Sequence, residues 1–213
     1  MKNIVVTIER QYGSGGRTIG EMLSKELGCH YYNKELTKLA SEDSGIAEEL
    51  FIENDEKIVQ KFGKGFFRRN TDVYHGDLIS PNKGDFVSQK NLFNYIAKTI
   101  KKLADDGSCV LIGRAADYVL KDYENVVRIF VYAPHDFLME QAGKKQPLMG
   151  KELEKYCEKV DECHAAYYHY YTGQDWMDMR NYDLCINSGK LGFEKSVEEI
   201  KAYIRTRFGE DAI

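Results

Sequence analysis

The sequence predicts an α/β fold, a doubly wound parallel sheet with helices on both faces. Three observations predict it. Short apolar, β-branched runs recur along the chain, amphipathic helical spacing fills the intervals between them, and the first run ends in a glycine-rich turn that opens a helix. Ligands of such sheets bind beyond the carboxyl ends of the strands, so chemistry is expected just after Ile8, Ile112, Val131 and Ile186.

Each element has its own signal. Residues 4–8 (IVVTI) read as a buried strand. Residues 18–27 follow as a helix with Ile19, Met22, Leu23 and Leu27 on one face, and Gly28 stands where a helix prefers to stop. Residues 29–32 read as a short strand and 34–40 as the start of another helix. Residues 41–89 are charged and weakly periodic, with a Gly63-Lys64-Gly65 turn and the pair Arg68-Arg69, and read as an inserted, substrate-side region. Residues 91–104 are an amphipathic helix with Leu92, Phe93, Ile96, Ile100 and Leu103 on one side. Strands are expected at 109–112, ending at Gly113-Arg114, at 126–131, and at 182–186. Helices are expected near 135–142, over 151–171 after a flexible stretch at 143–150, and over 193–208.

Composition bounds the function. The chain has 213 residues, 43% hydrophobic and 30% charged, enough for one packed domain with a smaller insertion. The formal charge of −4 is opposite to that of a protein that coats nucleic acid. No apolar run approaches the ~20 residues that cross a bilayer. The 5 cysteines are scattered and odd in number, which suits a reducing cytoplasm and argues against a disulfide framework.

The turn after the first strand reads Gln11-Tyr12-Gly13-Ser14-Gly15-Gly16-Arg17-Thr18. Against the phosphate-loop pattern G-x-x-x-x-G-K-[ST] it keeps Gly16 and Thr18, with Gln11 for the first glycine and Arg17 for the lysine. Glycines let backbone N–H groups curl round an anion at a helix N-terminus, Arg17 supplies a cation, and the Thr18 hydroxyl suits Mg²⁺. The competing reading is a tight turn that binds nothing. A dinucleotide site fits poorly, because Gly13, Gly15 and Gly20 miss the G-x-G-x-x-G spacing.

With these residues the chain resembles the cytidylate kinase-like family, relatives of the P-loop nucleoside monophosphate kinases. The resemblance rests on the glycine turn through Gly20, on Tyr31-Tyr32-Asn33-Lys34-Glu35-Leu36 and on Leu111-Ile112-Gly113-Arg114-Ala115-Ala116-Asp117. It continues in the aromatic run from Tyr167 to Trp176 and in Asn181-Tyr182-Asp183-Leu184-Cys185-Ile186-Asn187-Ser188. It implies a single nucleotide-kinase domain over 1–213, with a nucleoside monophosphate-binding insertion at about 41–89 and a lid at about 143–172. The reaction implied is ATP- and Mg²⁺-dependent phosphoryl transfer to a nucleoside monophosphate, CMP or dCMP. Gly13, Ser14, Gly15, Gly16, Arg17 and Thr18 would hold the ATP phosphates, Thr18 the metal, and Arg114, Asp117 and Asn33 the acceptor. Arg17, Arg114 and His164 would carry catalysis. Arg10 would contact a nucleotide or only brace the turn.

Three positions depart from the family pattern. Ala115 replaces an Asp after the Gly-Arg pair, with Asp117 two positions on as a substitute or as a helix cap. Asn33 stands where an Asp is common, and His164 takes the place of the lid arginine in Asp161-Glu162-Cys163-His164. Histidine is shorter than arginine and mostly neutral at pH 7. A second reading therefore stays open, a nucleotide-binding regulatory or sensor protein, as does a kinase of another small molecule. Lys155 and Lys159 on the same helix either compensate or form a solvated face. A zinc site from Cys157, Cys163, His164 and His169 has no usual ligand spacing. The tyrosine-rich run reads as packing more readily than as a base-stacking platform, since it lacks a basic patch.

Overall fold

The computed structural model describes residues 3–62 and 77–213. The Gly63-Lys64-Gly65 turn and Arg68-Arg69 lie outside the described residues. The sheet has five strands in the order β2-β3-β1-β4-β5, where β1 is Val5–Arg10, β2 His30–Tyr32, β3 Cys109–Ile112, β4 Val126–Tyr132 and β5 Leu184–Asn187. Every pairing is parallel, with Ile8 in register with Ile112 on one side and with Ile129 on the other. The strands after β1 run first to one side of it and later to the other, so a crevice opens at its carboxyl end.

All six residues of β1 are buried, as a central strand covered on both faces requires. Alternation then divides the core. Val6, Ile8, Val110, Ile112, Ile129 and Val131 face α1 (Gly16–Leu27) and α8 (Ser188–Phe208), which contribute Ile19, Leu23, Val197, Ile200 and Ile204. Val5, Leu111, Val126 and Phe130 face the opposite layer. That layer is built from α2 (Glu35–Ser44), α3 (Glu48–Phe62), α4 (Gln89–Asp106), α5 (Ala116–Val119) and the second half of α7 (Gly150–Thr172). The remaining helix, α6 (His135–Gly143), leads from β4 towards α7.

Two of the differences from the sequence expectation follow from polar residues in buried places. The strand expected to stop at Ile8 continues through Glu9 and Arg10, both buried. The loosely patterned insertion contains α3, whose inner face is Phe51, Asn54 and Ile58, so a buried asparagine interrupts the apolar stripe. The last helix begins at Ser188 and kinks at Gly192, five residues upstream of the expected start at 193. In the stretch expected to be flexible, the Gln146 side chain donates to the Tyr12 hydroxyl at 2.8 Å.

Candidate active site

Gln11 fixes the glycine turn to the end of β4. Its N–H donates to the Val131 carbonyl at 3.0 Å and its side-chain oxygen accepts from the Ala133 N–H at 3.3 Å. Ser14 is fully buried. Its hydroxyl donates to the Gln11 carbonyl at 2.8 Å, and its own carbonyl accepts from the Ser188 hydroxyl at 2.6 Å. The Ser14 side chain thus holds the turn together. Gly13 and Gly15 have φ of 85° and 79°, and a Cβ at either would meet Leu138 O at 2.5 Å or the Phe193 ring at 2.2 Å. Neighbouring protein atoms alone therefore demand glycine at both positions.

What points to an anion is the charge around the turn. The first turn of α1 holds no acidic residue, and its N–H groups have no intrahelical acceptor. Arg17 is exposed beside it. Arg10 runs under the turn from the end of β1, so close that a Cβ on Gly16 would lie 2.6 Å from the Arg10 Cβ. These donors fit polyphosphate. Thr18, half-buried in the first turn, fits Mg²⁺, which takes few protein oxygens and keeps phosphate and water for the rest. Among the described residues no three His, Cys, Asp or Glu side chains form a metal cluster.

The second wall follows β3. Gly113, Arg114 and Ala115 have φ of 70°, 62° and 52°. Two consecutive non-glycine residues in the left-handed region cost about 1–2 kcal/mol each and are characteristic of functional turns. The Ala115 N–H is held by the Glu9 carboxylate at 3.3 Å. The Arg114 guanidinium pairs with Asp55 of α3, donates to the Thr37 hydroxyl at 3.1 Å, and lies 5.4 Å from the centre of the Tyr167 ring. Burial would lower its proton affinity, but the Asp55 and Tyr167 interactions prevail and raise it.

Between the two walls, at the carboxyl end of β1, lies a cavity of about 620 Å³. The cations Arg10, Arg17, Lys34, Arg114 and Lys159 line it, with Glu9 and Asp55 as the carboxylates. Asn33, Cys163, His164, Tyr167 and Tyr168 complete most of the wall. Of the residues singled out from sequence, the structure brings Arg17, Asn33, Arg114 and His164 together here. Gly13, Ser14, Gly15, Gly16 and Thr18 are not in the cavity lining; Gly16 reaches it only by packing on Arg10. Asp117, expected at the acceptor, lies behind the wall, 2% exposed, with its carboxylate accepting from the Tyr168 hydroxyl at 2.6 Å.

His164 faces the cavity but not as a cation. Its ring packs on Trp176 at 5.6 Å, and burial lowers its pKa more than Asp161, at 3.7 Å, can raise it, so it is neutral at pH 7. Asp161 is turned towards the glycine loop, where it accepts from the Tyr12 N–H at 2.7 Å. Sequence reasoning gave no role to Glu9 and placed nothing at Asp55. A charged pair, Glu9-Arg10, between a buried strand and a glycine turn was the available signal for the first. None marked Asp55, which meets Arg114 from 59 residues away.

Comparison with solved structures places this arrangement. An uncharacterized protein from Eubacterium ventriosum ATCC 27560 superposes with a TM-score of 0.69 at 22% identity, covering 96% of this chain and 99% of that one. Shikimate kinase from Bacteroides thetaiotaomicron does so with a TM-score of 0.52 at 12% identity, again over 96% of this chain and 99% of that one. Both likenesses are of fold, the one shared by P-loop kinases. A comparison with curated proteins finds no match in sequence. The model of the cytidylate kinase-like family, however, matches residues 5–190, from the first residue of β1 into the start of α8. With a match across nearly all of its length, the chain belongs to the cytidylate kinase-like family.

Proposed function

We propose that the chain transfers a phosphoryl group from Mg²⁺·ATP to a nucleoside monophosphate, with CMP and dCMP as the first candidates. One observation carries the reading: five cations converge on one cavity at the carboxyl end of the sheet, in a chain whose net charge is −4. The catalysis of such transfer is mostly positioning and neutralisation of charge, so the protein's part is a set of fixed cations and donors. The start of α1, with Gly13 to Thr18, holds the donor phosphates, and Arg17 neutralises them. Thr18 offers its hydroxyl to the metal; the nucleotide, when bound with Mg²⁺, supplies the phosphoryl group. Arg114, fixed by Thr37 and the Tyr167 ring, holds the acceptor phosphate, with Asn33 and Lys34 on the same rim. His164 acts as a neutral hydrogen-bonding group of the lid. The chain works as one domain, 41–89 forming the acceptor side and 143–172 the lid, on small molecules rather than nucleic acid. Free cysteines fit a cytoplasmic location. Among the described residues no helix is long and apolar enough to cross a membrane.

A specific feature favours a second reading, a nucleotide sensor with little turnover: the lid supplies a neutral histidine, and Arg114 already has Asp55 as a partner. A coupled assay of ADP release from Mg²⁺·ATP over a panel of nucleoside monophosphates separates the two, run beside thermal-shift binding on the same panel. Release with CMP or dCMP above the ATP-only background supports the kinase. Binding without turnover across the panel supports the sensor. Arg17→Ala tests the donor side. Loss of a charge-assisted contact should weaken ATP binding about tenfold or more. Because Arg17 is exposed, melting should barely change. Unaltered ATP affinity in the folded variant would refute the loop assignment.

A further inference from the structure

The structure assigns a cation that neither the phosphate-loop pattern nor the lid motif contains: we propose that Arg10 is a catalytic residue, whose guanidinium holds the equatorial oxygens of the phosphoryl group in transit between donor and acceptor. The inference rests on the phosphoryl-transfer reading above.

Arg10 ends β1 on the strand's α1-facing side and is nine-tenths buried. Two glycines make room for it. A Cβ at Gly16 would lie 2.6 Å from the Arg10 Cβ, and a Cβ at Gly113 would lie 2.5 Å from Nη1. Its path therefore runs between the donor turn and the turn that carries Arg114, and its head lines the cavity that they share. A guanidinium has five N–H donors and tolerates burial only when they are satisfied. Among the described residues the Arg10 guanidinium makes no hydrogen bond, and its ion pair is a long one, 3.9 Å to Glu9. Glu9 is itself engaged, by the Trp176 indole N–H at 3.1 Å and the Ala115 N–H at 3.3 Å. Arg17 and Arg114 both repel Arg10 through the cavity, while Glu9 opposes a burial cost that is the largest influence on it. A buried, under-satisfied fork between two further guanidiniums is a place for an anion with several oxygens.

Position decides which anion. Arg17 belongs to the donor side and Arg114 to the acceptor side, with Arg10 on the floor between them. During transfer the bond from the γ-phosphorus to the β-bridging oxygen breaks, its electron pair leaving with ADP, as a bond forms from an acceptor phosphate oxygen to the same phosphorus. Arg10 keeps its proton throughout and offers two parallel N–H donors to the oxygens that stay on phosphorus. This is the charge that a neutral His164 cannot supply from the lid.

The test compares wild type, Arg10→Met and Arg10→Lys by calorimetric titration with Mg²⁺·ADP, alone and with aluminium fluoride as a planar mimic of the phosphoryl group, and by thermal melting. Wild type should bind ADP more tightly when aluminium fluoride is present. Both variants should lose that increment by about a hundredfold, with ADP affinity kept within about threefold, as loss of a bidentate charged contact implies. Arg10→Met should melt no lower than wild type, since it removes a desolvated, repelled charge. An increment retained in either variant overturns the assignment and leaves the transfer reading standing. A joint fall in melting temperature and ADP affinity also overturns it, showing that Arg10 only braces the turn. If wild type shows no increment, the transfer reading fails and the assignment of Arg10 falls with it.

Discussion

Asp117 has one carboxylate oxygen on the Tyr168 hydroxyl at 2.6 Å, while the other is buried without a hydrogen bond among the described residues. Burial, with the Glu9 charge adding to it, pushes its pKa up to about 7, against the Tyr168 hydrogen bond, which pulls it down. An unfolded Asp titrates near 3.9, so between about pH 4 and 7 the folded chain holds a proton that the unfolded chain has released. The stability from this group is complete below the unfolded value and is lost as pH rises through 7. Asp117→Asn keeps an acceptor for Tyr168 and removes the ionisation. In urea melts at pH 5 and pH 8 the wild type should lose more stability on going to pH 8 than the variant does, and the variant should be the more stable at pH 8. His164 has the opposite sign, losing stability below its unfolded value of about 6.5, but it is common to both proteins and cancels in the comparison. Equal slopes would show that Asp117 is ionised in the fold.

At the scale of elements, α7 does more than cover the cavity. Tyr171 stacks on Phe93 of α4 with ring centres 4.0 Å apart, accepts from the Asn54 side chain of α3 at 2.8 Å, and donates to the Gln89 carbonyl at 3.3 Å. One hydroxyl therefore ties the expected lid helix to α3 and α4, two helices of the layer that carries Asp55. Tyr171→Phe keeps the stack and leaves the buried Asn54 amide without this acceptor, which should cost about 1–3 kcal/mol in a denaturant melt. A smaller change would mean that Asn54 finds another partner. This tie also explains what the sequence could and could not reveal. The strands and the α1, α4 and α8 faces were legible because apolar residues recur there at the right period and glycine turns bound them. Glu9 and Arg10 were cut from β1 because charge in a strand reads as its end, although both are buried and line the cavity. The α3 face stayed illegible because Asn54 breaks its stripe, and Asn54 is buried for a partner 117 residues away. Hydrophobic period records what packs against apolar surface; it is blind to polar pairs that only topology brings together.

Over the whole molecule, that topology gives the sheet's Arg114 an anion from the inserted layer. Asp55 of α3 pairs with it, and both side chains are about a quarter exposed at the edge of the cavity. On the proposed transfer reading, an acceptor phosphate entering the cavity meets a guanidinium that is already partnered and must displace Asp55 or share Arg114 with it. Two consequences have opposite signs. Asp55→Asn should destabilise the ligand-free protein, because Arg114 loses its counter-charge; partly buried pairs of this kind contribute about 1 kcal/mol or somewhat more. The same change should tighten the binding of phosphate and of CMP, since no carboxylate competes, by up to about tenfold if the pair costs the ligand about 1.4 kcal/mol. Linkage then requires that millimolar phosphate recover more melting temperature in the variant than in wild type. Titration of both proteins with inorganic phosphate and CMP, with melts taken along the series, measures each quantity on the same samples. Weaker binding together with lower stability would show that Asp55 orients Arg114 for the ligand. Tighter binding with lower stability would show that the insertion holds the acceptor site closed by its own charge until an acceptor arrives.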